Sequence, residues 1–134
     1  MKIIFSILLV LAFAIIITYT GCKDTVTAAD IDKVVIPDSN VSYSKYIQPV
    51  FNVKCNSSNC HADASQAGGI DLTTCSNTTA DPSVVFPGEP DNSRLVWSIE
   101  GIGNFPMPPP GYPTLTQNQI KGVRTWIKEG AQCN

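Results

Sequence analysis

The chain contains one histidine, His61, and two methionines, one of which is the initiator, in 134 residues. A single histidine excludes a three-histidine catalytic zinc, an H-E-x-x-H metalloprotease helix and a blue-copper centre with two histidine ligands. Charge is scarce as well, with 9 basic and 11 acidic side chains and a formal charge of −2. Nucleic-acid binding draws on a basic surface that displaces counterions, so nucleic acid is not an expected partner. The length suits one domain, because a single core organises ~100–150 residues. Any chemistry must therefore come from five cysteines, His61 and Met107.

The one long apolar run, Ile3 to Ile17, follows Met1-Lys2 and predicts a secretory signal. It ends in Thr18-Tyr19-Thr20-Gly21-Cys22, where small residues before a cysteine resemble a bacterial lipobox. Cleavage would remove residues 1–21 as a signal peptide and leave Cys22 as the lipid-bearing N-terminus, although Tyr19 stands where an aliphatic residue is usual. An uncleaved span is the alternative, since the run approaches the ~17–20 residues that cross a bilayer. Either way the domain is expected outside the cytoplasm, on the envelope or periplasmic side, and held at a membrane. Removing 1–21 takes away Lys2 alone and brings the formal charge to −3. Residues 22–40 are small and polar without sustained periodicity, which reads as a flexible tether in which Val34-Val35-Ile36 could pair as a short strand. The domain is expected over 41–134.

With Cys22 set aside, Cys55, Cys60, Cys75 and Cys133 remain, an even number that in an exported chain allows two disulfides in three connectivities. Two of them lie in Cys55-Asn56-Ser57-Ser58-Asn59-Cys60-His61. C-x-x-C-H is the attachment signal for haem c, in which two thiols bond the vinyl groups and the adjacent histidine ligates the iron. Here the gap is four residues, and Asn56 to Asn59, all small, polar and turn-compatible, could loop outward. On the motif alone, a disulfide beside an incidental histidine is an equal reading. A zinc site is poorly served, because adjacent Cys and His rarely point at one metal and only Cys75 and Cys133 could complete it.

Met107 sits in Gly103-Asn104-Phe105-Pro106-Met107-Pro108-Pro109-Pro110-Gly111, which no helix or strand interior tolerates. A methionine on so stiff a loop is poor core filler and a good candidate for a thioether ligand, which raises a haem potential.

Tyr43, Ile47, Val50 and Phe51 recur on one helical face before Cys55, and Pro49 suits a first turn, so a regular helix is expected from near Gln48. Ala67-Gly68-Gly69-Ile70-Asp71-Leu72 reads as a turn with an apolar pair, and Pro90 to Ser93 opens a short helix over Arg94–Glu100. Thr116-x-x-Gln119 is a capping box that starts a last helix, with Ile120, Val123, Trp126 and Ile127 inward, Lys121, Arg124 and Lys128 outward, and Gly130 closing it.

From Tyr46 to Gln132 the chain resembles the small c-type cytochrome domains of secreted planctomycete and Bacteroidetes-type proteins. The resemblance is carried by Ile47-Gln48-Pro49-Val50-Phe51, Gly68-Gly69-Ile70-Asp71-Leu72-Thr73-Thr74, Pro87-Gly88-Glu89-Pro90, Ser93-Arg94-Leu95, Met107-Pro108-Pro109, Leu115-Thr116 and Trp126 to Ala131. Members with a C-x4-C-H site exist, so the widened gap is a variant. The resemblance implies a mostly α, class I-like cytochrome c fold, with short helices and long ordered loops around one covalent haem c. It implies electron transfer and no catalytic side chain. Carried onto this sequence, Cys55 and Cys60 attach the haem, His61 is the proximal ligand and Met107 the distal one. Cys75 departs from the family's more usual aromatic residue, and Cys133 follows the last helix. With two cysteines given to haem, these two are left to form a disulfide.

Further expectations follow from that assignment. The His61 ring should donate its other N–H to a backbone carbonyl within Ala64–Ile70, and Phe51, Leu95, Trp97, Ile99 and Trp126 are candidates for an apolar haem wall. Expected partners are redox proteins met in weak encounters and the membrane reached through lipid, with no small-molecule substrate. A haem enzyme or ligand sensor would need an open coordination site, which Met107 should close. A further alternative is an exported lipoprotein without haem, stapled by disulfides or binding copper through Cys55, Cys60, His61 and Met107.

Overall fold

Thr116 and Gln119 form the expected capping box: the Gln119 N–H donates to Thr116 Oγ1 at 3.2 Å, and the Thr116 N–H donates to Gln119 Oε1 at 2.9 Å. Two of the orphan donors of a helix start are thereby satisfied. The helix they open is the longest of five α-helices in a computed structural model that describes residues 25–134. The proposed signal peptide and Cys22 lie outside the described residues. In chain order the α-helices are α1 (Ala28–Asp32), α2 (Gln48–Lys54), α3 (Cys75–Thr78), α4 (Arg94–Ile99) and α5 (Gln117–Lys128). No strand forms among the described residues, so the fold is mostly α as expected. None of the described helices is long and apolar enough to cross a membrane.

A π-helical turn, Tyr43–Ile47, runs directly into α2, where Pro49 occupies the first turn. The face anticipated from spacing is the one that is buried: Tyr43, Ile47, Val50 and Phe51 are all at most 3% exposed. It packs on Val123, Trp126 and Ile127 of α5, with the Tyr43 and Trp126 rings 5.0 Å apart and the Tyr43 and Phe51 rings 6.3 Å apart. Each fully buried side chain of this kind contributes about 1.5–3 kcal/mol. The Thr78 hydroxyl donates to the Thr74 carbonyl, so the buried Tyr43 hydroxyl donates to Thr78 Oγ1 at 2.9 Å. Burial pushes the Tyr43 phenol up to about 12. At the far end of α5, Ala131 N–H reaches the Trp126 carbonyl and Gly130 N–H the Ile127 carbonyl, a Schellman closure.

The remaining chain is tied to this helical pair. Cys75 and Cys133 form a disulfide with Cα atoms 5.6 Å apart, joining α3 to the C-terminal tail. Asn134 then caps the π-turn, its side-chain oxygen accepting from Tyr43 N–H at 2.8 Å.

The segment expected as a spacer is packed from Thr27 onward. Thr27 and Asp30 make a capping box for α1, and Ile31 and Ile36 are buried in the common core. Asn118 clamps Ile36 on both sides, accepting from its N–H at 2.8 Å and donating to its carbonyl at 3.1 Å. Glu129 accepts from the N–H groups of Asn40 and Val41. Asn118 takes the backbone bonds of Ile36 that a Val34–Ile36 strand would have needed, and residues from Thr27 onward pack with the rest of the described chain.

Candidate haem site

The Cys55–His61 loop closes on itself through the backbone. Cys55 N–H ends α2 by donating to the Phe51 carbonyl at 2.8 Å, and His61 N–H donates back to the Cys55 carbonyl at 3.1 Å. Within the loop, Cys60 N–H donates to the Ser57 carbonyl at 2.9 Å. Ser57, Ser58 and Asn59 are exposed, as an outward loop requires. Asn56 is not part of that excursion: its side-chain amide turns inward and donates to the Asn52 side chain at 3.1 Å and to the Leu72 carbonyl at 2.9 Å. The four-residue gap is therefore accommodated by three outward residues and one that braces the loop against α2.

Cys55 and Cys60 are both free thiols, so the two-disulfide framework is half realised, in Cys75–Cys133 alone. Desolvation by burial pushes the Cys55 thiol up to about 12, with the neighbouring Cys60 adding to the shift and Lys54 opposing it. The Cys60 sulfur accepts from the Ser57 hydroxyl at 2.9 Å. With Cys75 and Cys133 bonded to each other, the zinc reading loses the two residues that could complete it. Among the described residues, no group of three or more His, Cys, Asp or Glu side chains is placed to hold a metal ion.

His61 is oriented as the sequence anticipates. Its Nδ1 lies 3.2 Å from the Ile70 carbonyl oxygen, and its own carbonyl accepts from Leu72 N–H at 3.0 Å. A carbonyl only accepts, so Nδ1 carries the proton and Nε2 keeps a lone pair for a metal. Nε2 has no hydrogen-bond partner among the described residues. The turn that delivers Ile70 runs through Gly68 and Gly69, at φ +65° and +73°.

Met107 lies on a separate loop that leaves α4. The loop is fastened where Ile102 N–H donates to the Trp97 carbonyl and Met107 N–H to the Ser98 carbonyl, both at 2.8 Å. Met107 is half-buried, whereas Phe105 is 76% exposed and Ile102, Tyr112 and Trp97 are each more than 40% exposed. The expected haem wall is divided accordingly. Phe51 and Trp126 belong to the protein core, Leu95 and Ile99 lie on the buried face of α4, and Trp97 faces out with its indole N–H on the Asp91 carbonyl at 2.7 Å.

The described residues offer the donor set of a covalently attached haem: two free thiols, an imidazole whose Nδ1 faces a carbonyl, and, on a separate braced loop with exposed apolar side chains, a thioether. A cleft of about 400 Å³ bordered by Ile70 and Val84 fits it poorly, since Asp63, Asp71 and Asp81 line it with carboxylates.

Residues 58–111 match the family model described as Planctomycete cytochrome C. The match covers 54 of the 134 residues, and over that stretch the chain is similar to a cytochrome c domain. The matched span holds Cys60, His61, the Gly68–Leu72 turn and Met107, and begins three residues after Cys55. Neither a curated protein nor a solved structure matches the chain.

Proposed function

We propose that this protein is a membrane-tethered, mono-haem c-type cytochrome, with Cys55 and Cys60 attaching the haem, His61 and Met107 as axial ligands, and lipid on Cys22 holding it at the envelope. The observation that carries the reading is the His61 Nδ1 contact with the Ile70 carbonyl beside two unbonded thiols. A histidine meant only for the core would gain nothing from keeping Nε2 open. A redox-inert structural loop would gain nothing from two free cysteines in an oxidising compartment.

Bound there, haem supplies the Fe(III)/Fe(II) couple. The chain's part is to hold and tune it. The Ile70 carbonyl fixes the tautomer and plane of the His61 ring and raises its basicity. Met107 contributes a neutral, soft sulfur that favours the reduced state, on a loop whose prolines limit its excursions. The Cys75–Cys133 bond pairs the other two cysteines of the described residues and leaves Cys55 and Cys60 as thiols. Phe105, Ile102 and Tyr112 offer exposed apolar surface around the Met107 loop that a bound haem could cover. The mature chain's net negative charge favours a neutral or basic redox partner met in weak, short-lived encounters.

With the fold beginning near Thr27, the tether from Cys22 spans five residue steps, at most ~18 Å when extended. The domain would sit close to the bilayer surface.

Covalent attachment is tested by expressing the full chain in a host with c-type haem maturation and measuring intact mass after denaturation. One retained haem is expected, reduced or lost on Cys60→Ser. A denatured chain of apoprotein mass would exclude the reading.

A further inference from the structure

Lys54 is the last residue of α2, immediately before Cys55, and its side chain is fully buried. Its ammonium has three hydrogens, and three acceptors from three separate segments take them. Asp32 Oδ1 of the N-terminal segment lies at 2.5 Å, the Thr114 carbonyl at 2.6 Å and Gln119 Oε1 of α5 at 3.1 Å. Gln119 closes the cluster by donating to Asp32 Oδ1 at 3.0 Å. A buried cation satisfied in this way is costly to disturb, because removing any acceptor leaves a charged donor without a partner.

Thr114 is where the Met107 loop rejoins the fold. The loop is fastened at Met107 N–H by Ser98 and at the Thr114 carbonyl by Lys54. Between those two points lie Pro108, Pro109, Pro110 and Pro113, whose fixed φ angles leave few torsions to absorb a shift at Thr114. Movement at the Lys54 end is carried to Met107.

We infer that Lys54 and Asp32 are positioning residues for the methionine ligand, and that docking of the N-terminal segment completes the frame that holds Met107 in place. The inference rests on the His61/Met107 ligation proposed above. The membrane-proximal segment then acts as part of the redox domain. Among the described residues Asp32 supplies the one negative charge paired with Lys54, and it comes from the part of the fold nearest the tether.

The test compares three haem-loaded full-length proteins: the parent, Asp32→Asn, and the pair Lys54→Met with Asp32→Leu, which buries no charge. Two quantities are read: the urea midpoint, and the rate at which added imidazole displaces the sixth ligand of the ferric protein. Asp32→Asn is expected to keep its haem and to take up imidazole about tenfold faster, the size of effect one charged hydrogen bond gives. The double variant is expected to recover much of the urea midpoint while still binding imidazole fast, because Thr114 has lost its tether. Imidazole uptake that follows the urea midpoint in both variants, or stays at the parent rate, would overturn the inference. A parent without the absorption of sulfur-ligated ferric haem would overturn it together with the ligation it rests on.

Discussion

The His61 Nδ1 sits 3.2 Å from the carbonyl oxygen of Ile70, nine residues further along the chain. That single contact decides which ring nitrogen carries a proton and which is left to coordinate. It is made possible by the Gly68-Gly69 turn, whose positive φ values bring the chain back over the ring.

Gly69→Ala should therefore act through the backbone. A Cβ there meets nothing within 4 Å, so no clash is added. The left-handed conformation should still cost about 1–2 kcal/mol. Chemical denaturation measures the loss, and ring-proton NMR or the ferric spectrum reports whether His61 has turned. A larger loss, without change at His61, would mean that the turn serves packing alone.

The Cys75–Cys133 bond closes a separation of 58 residues. Constraining the unfolded chain over that span stabilises the fold by about 4 kcal/mol on the loop-entropy account. Replacing both cysteines by serine should lower stability by that order and leave the native visible spectrum unchanged. Urea curves of the parent with and without reductant provide the same comparison.

Gly122 faces Ile36 so closely that a Cβ would come within 2.7 Å of its Cγ2. Asn118 fixes Ile36 from both sides, so the side chain cannot retreat. Gly122→Ala should cost about 1–3 kcal/mol by overpacking. In the Ile36→Ala background the same change should cost less. Equal costs in the two backgrounds would show that the N-terminal segment is not packed on α5 in solution.

Asp32 gives the fold an acid-side dependence. The hydrogen bond from Lys54, aided by Gln119, holds its carboxyl below its ordinary value of 3.8. A depressed folded pKa means that the contribution is whole above 3.8 and is lost as pH falls through the lower folded value. Asp32→Asn should be less stable than the parent at neutral pH, and the gap should close in acid below the carboxylate range. A gap that stays constant with pH would show that Asp32 acts only through shape.

Much of this was legible in the sequence, for identifiable reasons. The α5 capping box and the Tyr43–Phe51 face are local patterns, governed by hydrogen bonds and spacings within one helix. The His61 contact was legible because the haem reading of Cys60-His61 calls for a second partner on the ring, and the loop that follows brings backbone carbonyls close to it. The docking of residues 27–41 was not. Ile31, Ile36 and Val41 recur every five residues, a spacing that matches neither helix nor strand, and their partners, Asn118 and Glu129, lie some eighty positions away. Lys54 was equally hidden. At the end of an amphipathic helix a lysine reads as solvent-facing, and only the return of Asp32, Thr114 and Gln119 buries it. Trp97 misled in the opposite sense: its helix is buried, but its own indole turns outward to the Asp91 carbonyl.

The central claim, that His61 and Met107 hold one covalently attached haem, is tested most directly by the ferric absorption spectrum of the parent beside Met107→Ala. The parent should show the weak long-wavelength band of sulfur-ligated ferric haem, and Met107→Ala should lose it while retaining haem after denaturation. The same band in both proteins, or in neither, would contradict the account.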